Sequence, residues 1–157
     1  AQESRGLGDV YKRQPGESFS AFSLCLFFKE EPMILIFGGA YQGKLDFAKK
    51  KFGVTDRQVF TCTEDFEADQ EAKVLCNLEQ AFLHLVKQNV NVTDMLAARR
   101  DDLKDKIIII DDISQGVVPM DKTLRAWREA TGRAMLYLSE EADEVYRVFC
   151  GIGQKIK

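Results

Sequence analysis

A glycine-rich stretch that ends in a lysine is the part of this sequence with the clearest capacity for chemistry. It runs from Gly38 to Lys44 with the spacing G-x-x-x-x-G-K, which is typical of loops that turn backbone N–H groups toward a phosphate. The lysine of such a loop contacts the terminal phosphates of a nucleotide. The residues expected at the nucleotide are Gly38, Gly39, Ala40, Tyr41, Gln42, Gly43, Lys44 and Leu45.

The position after the lysine departs from this pattern. A serine or threonine hydroxyl normally reaches Mg²⁺ from there, and Leu45 has no such group. Asp46 follows directly, but one residue along a helix rotates the side chain by roughly 100°, so we expect Asp46 to point elsewhere. The loop therefore predicts nucleotide binding, whereas catalytic competence is a separate question.

Two adjacent acids are the second candidate for chemistry. Asp111 and Asp112 follow the apolar run Ile107 to Ile110, and in an open α/β sheet a carboxylate at the carboxyl end of a strand faces a bound phosphate. Both are candidate Mg²⁺ ligands, and Asp112 is also a candidate catalytic base that would act with Lys44. The equal alternative is that both acids only cap the turn before Gly116.

Apolar strands alternating with helical segments place these residues in an α/β fold. Short apolar runs predict strands, and apolar residues at helical spacing predict helices. Their alternation indicates a mostly parallel central sheet with helices on both faces. The predicted strands are Ile34–Phe37, Val59–Cys62, Ile107–Ile110 and Val145–Cys150, and the predicted helices are Leu45–Phe52, Val92–Leu103, Lys122–Thr131 closed by Gly132, and Ala134–Ser139.

The region between residues 63 and 88 leaves two interpretations open. Its acidic first part, 63–72, is expected to form a loop or an exposed helix. Val74 to Cys76 fits a further strand, but a helix over 69–88 fits the same periodicity equally well. His84 is the single histidine of the chain and has apolar neighbours, so we expect a satisfied residue at a helix edge rather than a ligand.

Composition restricts the classes of partner. Charged residues make up 30% of the 157 residues and the formal net charge is −3, so no strong field favours nucleic acid or an anionic membrane. We expect neither partner. The four cysteines show no C-x-x-C spacing, which argues against a metal knuckle or a disulfide framework. Cys62, Cys76 and Cys150 lie in or beside apolar runs, where free thiols act as small hydrophobes.

The first 32 residues differ in character from the rest of the chain. They contain a polar, aperiodic start and a short apolar patch, 20–28, that is too short to span a bilayer. A strand-like segment then begins at Met33. We expect residues 1–32 to be a non-native or disordered leader, residues 33–157 to form one P-loop nucleotide-binding domain that starts at Met33, and the protein to be cytoplasmic.

Four segments, in matching order, resemble the bifunctional adenosylcobinamide kinase / adenosylcobinamide-phosphate guanylyltransferase family. D-D-I-S-Q-G-V-V-P, at 111–119, is similar to the family pattern N-E-V-G-x-G-I-V-P. The segments 125–133 and 142–157 resemble R-x-F-R-D-x-x-G-x and A-D-E-V-x-x-V-x-x-G-I-x-x-x-x-K. The opening G-G-A-Y-Q-G-K-L, at 38–45, resembles G-G-A-R-S-G-K-S.

This resemblance implies a RecA-like P-loop NTPase fold and a role in cobalamin biosynthesis. Family members transfer a phosphoryl group from ATP or GTP, with Mg²⁺, to adenosylcobinamide, and then attach GMP through a histidine-linked intermediate. The resemblance thus implies the corrinoid as a partner, and it leaves open whether the protein forms a homo-oligomer. The resemblance also places Thr61, Cys62 and Thr63 near the nucleotide, and gives Asp112 the position of the family's glutamate.

Two departures from the family divide the functional hypotheses. The segment that carries the guanylyl-accepting histidine is shortened here to 63–72 and has no histidine, and the acid of an Asp-Cys pair near Cys76 is missing. A phosphoramidate intermediate needs an imidazole, so we expect the guanylyl transfer to be lost. The chain is then a shortened adenosylcobinamide kinase or a catalytically degenerate nucleotide-binding or scaffold relative. The foreign character of residues 1–32 adds a third hypothesis, a structural fragment from a damaged reading frame.

Overall fold

The computed structural model describes residues 31–64 and 72–157. The strands in these ranges are β1 (Ile34–Gly38), β2 (Val59–Thr61), β3 (Val74–Cys76), β4 (Ile107–Asp111), β5 (Glu144–Phe149) and β6 (Ile152–Lys155). The α-helices are α1 (Lys44–Phe52), α2 (Leu78–Lys87), α3 (Val92–Ala98), α4 (Arg100–Leu103) and α5 (Lys122–Glu141). A single 3₁₀ turn, Asp56–Gln58, precedes β2 in the described part of the chain.

The strands form one six-stranded sheet in the order β2-β3-β4-β1-β5-β6. All neighbours are parallel except β5 and β6, which pair antiparallel. The central strand β1 lies between β4 and β5, and its last residue, Gly38, is in register with Asp111 at the end of β4. This register brings the end of the glycine-rich strand and the predicted acid to the same edge of the sheet.

Helices cover both faces of the sheet. The side chains of β1 and β4 alternate between the two faces, as the period of a strand requires. Leu35, Ile108 and Ile110 face one cluster that includes residues of α2, α3 and α5. Ile36 and Ile109 face the other, which includes Ala48 of α1. The predicted α/β fold with a mostly parallel sheet and helices on both faces is confirmed.

The helix boundaries differ from the predictions at two places. The predicted stop at Gly132 is wrong, because α5 continues through it to Glu141. A glycine within a helix costs only about 1 kcal/mol relative to alanine, and Thr131, Ala134 and Leu138 together form a continuous buried stripe on this helix. The segment 92–103, predicted as one helix, is interrupted at Arg99 and forms α3 and α4.

The end of the chain forms a hairpin that the sequence analysis did not predict. Cys150 and Gly151, with φ of 50° and 77°, form the two-residue turn between β5 and β6. Positive φ at both turn positions is the geometry that matches the twist of two antiparallel strands. Gly151 is a residue expected at such a turn. Cys150 is not, because a cysteine rarely adopts the left-handed conformation.

The remaining expectations are resolved only for described residues. Val74–Cys76 is a strand and α2 begins after it, so the alternative of one helix over 69–88 is wrong. Cys62 and Cys76 are buried as expected, whereas Cys150 is exposed, and all three are free thiols. The leader, apart from Glu31 and Pro32, and most of the acidic segment 63–72 lie outside the described residues. No helix within the described ranges is both long and apolar enough to cross a membrane.

Candidate functional site

The glycine-rich stretch forms a tight turn between β1 and α1. Gly43 caps the helix with a left-handed backbone (φ 78°), and its carbonyl accepts the N–H of Phe47 at 2.9 Å. Tyr41 is also left-handed, with φ of 59°. At the start of the turn, a Cβ on Gly38 would overlap the main-chain carbonyl of Val148. The turn therefore requires glycine at its first position, and it ends at a helix N-terminus, where the dipole favours an anion.

Lys44 is held beneath this turn. Its side chain is 5% exposed, and its Nζ lies 2.6 Å from Oδ1 of Asp111 and donates to the carbonyl of Gly39 at 2.7 Å. The ion pair follows from the sheet, since the ends of β1 and β4 are adjacent. An ammonium group fixed beside a glycine turn is the arrangement that binds terminal phosphates in P-loop proteins.

A cleft of about 490 Å³ opens at this edge of the sheet. It collects most of the predicted nucleotide-binding residues, and it also includes Asp46, which we had expected to point elsewhere. Gly38, Gly39, Cys62, Thr63 and Asp112 are not among its lining residues. The lining consists of Ala40, Tyr41, Gln42, Gly43, Lys44, Leu45, Asp46, Thr61, Cys76, Asn77, Glu79, Gln80, Ile109 and Asp111.

The two adjacent acids take different roles. Asp111 faces Lys44, as described above. The carboxylate of Asp112 instead accepts the N–H of Ser114 at 3.1 Å, the Ser114 hydroxyl at 2.5 Å and the side-chain amide of Gln115 at 2.9 Å. Asp112 therefore caps the turn that leads to Gly116, while Asp111 is the acid that lines the cleft.

Glu79 is a cleft residue that the sequence analysis missed. It is the second residue of α2 and is 2% exposed, and its Oε2 accepts the N–H of Asp111 at 3.1 Å. Its main-chain carbonyl accepts the indole N–H of Trp127 at 2.6 Å. Burial raises the pKa of the Glu79 carboxyl, against the opposing effect of the Asp111 N–H. Its position just after β3, at the edge of the sheet where ligands bind, was the sequence signal that could have identified it as a cleft residue.

Cys76 lies beside Glu79 in the cleft. Burial, followed by the nearby Glu79 carboxyl, raises the pKa of the Cys76 thiol to about 11. A thiol with such a pKa is protonated at neutral pH and is a poor nucleophile. The cleft therefore has no cysteine chemistry at this position.

A side chain of the glycine-rich turn connects it to the hairpin at the end of the chain. The Oε1 atom of Gln42 accepts the N–H of Cys150 at 2.6 Å, and the Gln42 carbonyl accepts the N–H of Gly151 at 2.8 Å. The first of these bonds joins residues that are 108 positions apart in the sequence. The glycine-rich turn is thus tethered to the β5–β6 hairpin.

The chemistry of the cleft fits a magnesium ion that accompanies a nucleotide. Asp46, Glu79 and Asp111 offer carboxylate oxygens along the cleft lining, the ligands Mg²⁺ prefers, whereas Leu45 offers none. Among the described residues no group of three or more His, Cys, Asp or Glu side chains is arranged to hold a metal by itself. A site with few protein ligands is consistent with Mg²⁺, which commonly binds one or two carboxylates and completes its coordination shell with phosphate oxygens and water.

His84 is not among the residues that line the cleft. It lies on α2 with its Nε2 2.6 Å from the side-chain nitrogen of Gln88. The expectation of a satisfied histidine at a helix edge is confirmed.

The strand–glycine turn–helix with a buried lysine, on a mostly parallel sheet covered on both faces, defines a P-loop NTPase-like protein. Residues 72–156, just over half of the chain, match the model of the family described as cobinamide kinase / cobinamide phosphate guanyltransferase. The chain belongs to this family, as a divergent member. The family match begins after the glycine turn, so the turn is identified by its own geometry.

Two curated relatives share the name bifunctional adenosylcobalamin biosynthesis protein CobU. The one from Escherichia coli K12 is 30% identical over 69 residues, which cover 44% of this chain and 38% of the relative. The one from Salmonella typhimurium LT2 is 37% identical over 51 residues, which cover 32% of this chain and 28% of the relative. Each match thus spans less than two fifths of the relative's length.

Proposed function

We propose that this chain binds ATP or GTP with Mg²⁺ in the Lys44–Asp111 cleft and transfers a phosphoryl group to adenosylcobinamide in cobalamin biosynthesis. The observation that supports this most is the buried Lys44 ammonium, held 2.6 Å from Asp111 at the base of a glycine turn. Membership of the cobinamide kinase / cobinamide phosphate guanyltransferase family supplies the substrate class. The corrinoid hydroxyl is the nucleophile in this proposal.

The roles of the residues follow from positioning and charge. Backbone N–H groups of the turn would cradle the phosphates, and Lys44 would neutralise charge that develops on the transferred group. Of the two acids predicted as metal ligands, Asp111 is better placed, because Asp112 is engaged in its own turn. Asp112 remains a candidate base, and this role requires that substrate binding frees its carboxylate from that turn.

We also propose that the guanylyl-transfer step is absent. The chain has one histidine, and His84 is engaged with Gln88 outside the cleft lining. Incubation with GTP labelled in the α-phosphate should therefore leave no acid-labile label on the protein. A label that depends on His84 would overturn this part of the proposal.

The second candidate function is a nucleotide-binding relative without catalysis. Leu45 favours it, because the cleft lacks the hydroxyl that normally holds the metal. The two candidates differ in turnover and share nucleotide binding.

One assay separates them. The full chain is incubated with adenosylcobinamide, Mg²⁺ and γ-labelled ATP or GTP, and transfer of label to the corrinoid is measured. The kinase proposal expects product, a decrease of roughly 10²–10³-fold in Lys44→Ala, and an increase in Leu45→Ser. Micromolar nucleotide binding without product, unchanged in Leu45→Ser, supports the second candidate. No binding of either nucleotide at millimolar concentration refutes both.

A further inference from the structure

Glu79 is a buried carboxylate that has no ion-pair partner among the described residues. It is 2% exposed, and no lysine, arginine or histidine of the described ranges forms an ion pair with it. Burying an ionisable group without a countercharge is costly, so such groups are rare unless a partner or a function compensates. A buried carboxyl of this kind in a cleft is a candidate for a functional group.

The position of Glu79 directs it to the phosphate end of the cleft. Its Oε2 accepts a hydrogen bond from the main-chain N–H of Asp111, the residue whose side chain forms the ion pair with Lys44. Glu79, Asp111 and Lys44 all line the same cleft. The Asp111 carboxylate and the Gln80 amide act on the Glu79 carboxylate, which in turn acts on the Cys76 thiol, and the lysine that lines the cleft, Lys44, is paired with Asp111.

The contacts of Glu79 also hold its carboxylate in place. Its carbonyl accepts a hydrogen bond from the indole of Trp127 on α5, and its carboxylate accepts one from Asp111 at the end of β4. Two neighbouring elements therefore fix the first turn of α2. A ligand fixed by its surroundings binds a metal with little loss of side-chain entropy. Glu79 thus offers a preorganised oxygen at a site where Leu45 offers nothing.

We propose that Glu79, directly or through a coordinated water, is a ligand of the Mg²⁺ that accompanies the nucleotide phosphates, and that it takes over the role of the hydroxyl missing at Leu45. The proposal rests on nucleotide binding in the Lys44 cleft, and not on turnover. The ion would supply the positive charge that the buried carboxylate lacks in the described part of the protein. Asp111, already paired with Lys44, would be its neighbour in the metal shell.

The test is the Mg²⁺ dependence of nucleotide affinity, measured by calorimetry on the full chain. ATP and GTP are each titrated in EDTA and then at a series of Mg²⁺ concentrations. We expect Glu79→Gln to bind nucleotide in EDTA within about threefold of the unsubstituted chain, and to need at least about tenfold more Mg²⁺ for the same gain in affinity. Glutamine keeps the acceptor for the Asp111 N–H, so the fold should be preserved, and circular dichroism checks this.

Three further variants make the result specific. Glu79→Asp retains the charge but withdraws it by one methylene, so a smaller shift in the same direction is expected, which also covers a failure of Glu79→Gln to fold. Glu129→Gln is the matched surface control, because Glu129 is paired with Arg133 on an exposed face of α5, and it should leave the Mg²⁺ dependence unchanged. Asp112→Asn tests the other acid that the sequence predicts as a metal ligand.

The outcomes separate this inference from the proposed function. An unchanged Mg²⁺ requirement in Glu79→Gln, or a shift only in Asp112→Asn, overturns the role of Glu79 while nucleotide binding stands. Equal loss of affinity in EDTA and in Mg²⁺ would identify Glu79 as a structural residue and also overturn it. If the unsubstituted chain binds neither nucleotide under any condition, the proposed function itself fails.

Discussion

The ion pair between Lys44 and Asp111 allows a quantitative test of how the site is held together. The two side chains are 5% and 25% exposed, and the ammonium and carboxylate are 2.6 Å apart. We consider Lys44→Met, which keeps the apolar stem of the lysine, and Asp111→Asn, which keeps the shape of the acid. A double-mutant cycle of these variants isolates the energy of the pair.

The expected coupling lies between two known limits. Exposed ion pairs contribute about 0.2–1 kcal/mol, and removing one partner of a fully buried pair costs about 3–5 kcal/mol. Water reaches Asp111 but hardly reaches Lys44, so we expect a coupling of about 1.5–2 kcal/mol. Because the lysine is shielded, most of this coupling should persist at about 1 M salt, where exposed pairs are screened.

The assay is urea unfolding of the four proteins at pH 7, followed by circular dichroism and by the fluorescence of Trp127, the single tryptophan. A matched cycle on Glu144 and Lys155, a pair with 29% and 50% exposure, should give less than about 1 kcal/mol. A Lys44–Asp111 coupling below about 0.3 kcal/mol lies within the error of additivity and would refute the argument.

Three other predictions concern the scaffold. Gly38→Ala should destabilise the fold by about 1–3 kcal/mol, since its Cβ overlaps a carbonyl of β5, whereas Gly132→Ala, with open space around it, should stabilise by about 0.5–1 kcal/mol; urea unfolding measures both. Hydrogen bonding to Lys155 lowers the pKa of Glu144, so the pair should stabilise the hairpin above the ordinary glutamate value of 4.5 and lose this effect as the pH falls below it. Glu144→Gln should therefore lower the melting temperature slightly at pH 7 and by less at pH 3. Of the three thiols that the structure describes, only Cys150 should react with iodoacetamide at pH 8 in the folded protein, as peptide mass spectrometry can show.

The central strands and the glycine turn could be predicted because their signals are local. Ile107 to Ile110 is a continuous apolar run, which indicates a strand buried on both faces, and the spacing from Gly38 to Lys44 is a motif in itself. Their pairing in register then brings Lys44 to Asp111. The two segments were therefore predictable from local signals, whereas the pairing that joins them is a contact between distant parts of the chain.

The errors arose where tertiary contacts decide the outcome. Gly132 looked like a helix end, but the buried stripe on either side of it keeps α5 continuous. Glu79 looked like an ordinary acid in the first turn of a helix, because only the junction of α2 with β4 and Trp127 buries it. Asp112 and Asp111 are equivalent candidates in the sequence, which does not show which of two adjacent carboxylates turns into its own loop.

The tether between Gln42 and the Cys150–Gly151 turn has a consequence for the order in which the protein matures during synthesis. The glycine-rich turn is synthesised early, yet its anchor lies 108 residues later. Strand β1 lies between β4 and β5, so its pairing is complete only after β5 has emerged from the ribosome. Contacts so distant along the chain form late, because the intervening segment must first be closed into a loop. A nascent polypeptide that stops short of the hairpin therefore has an unanchored glycine-rich turn, which is completed only once Gly151 has emerged from the ribosome.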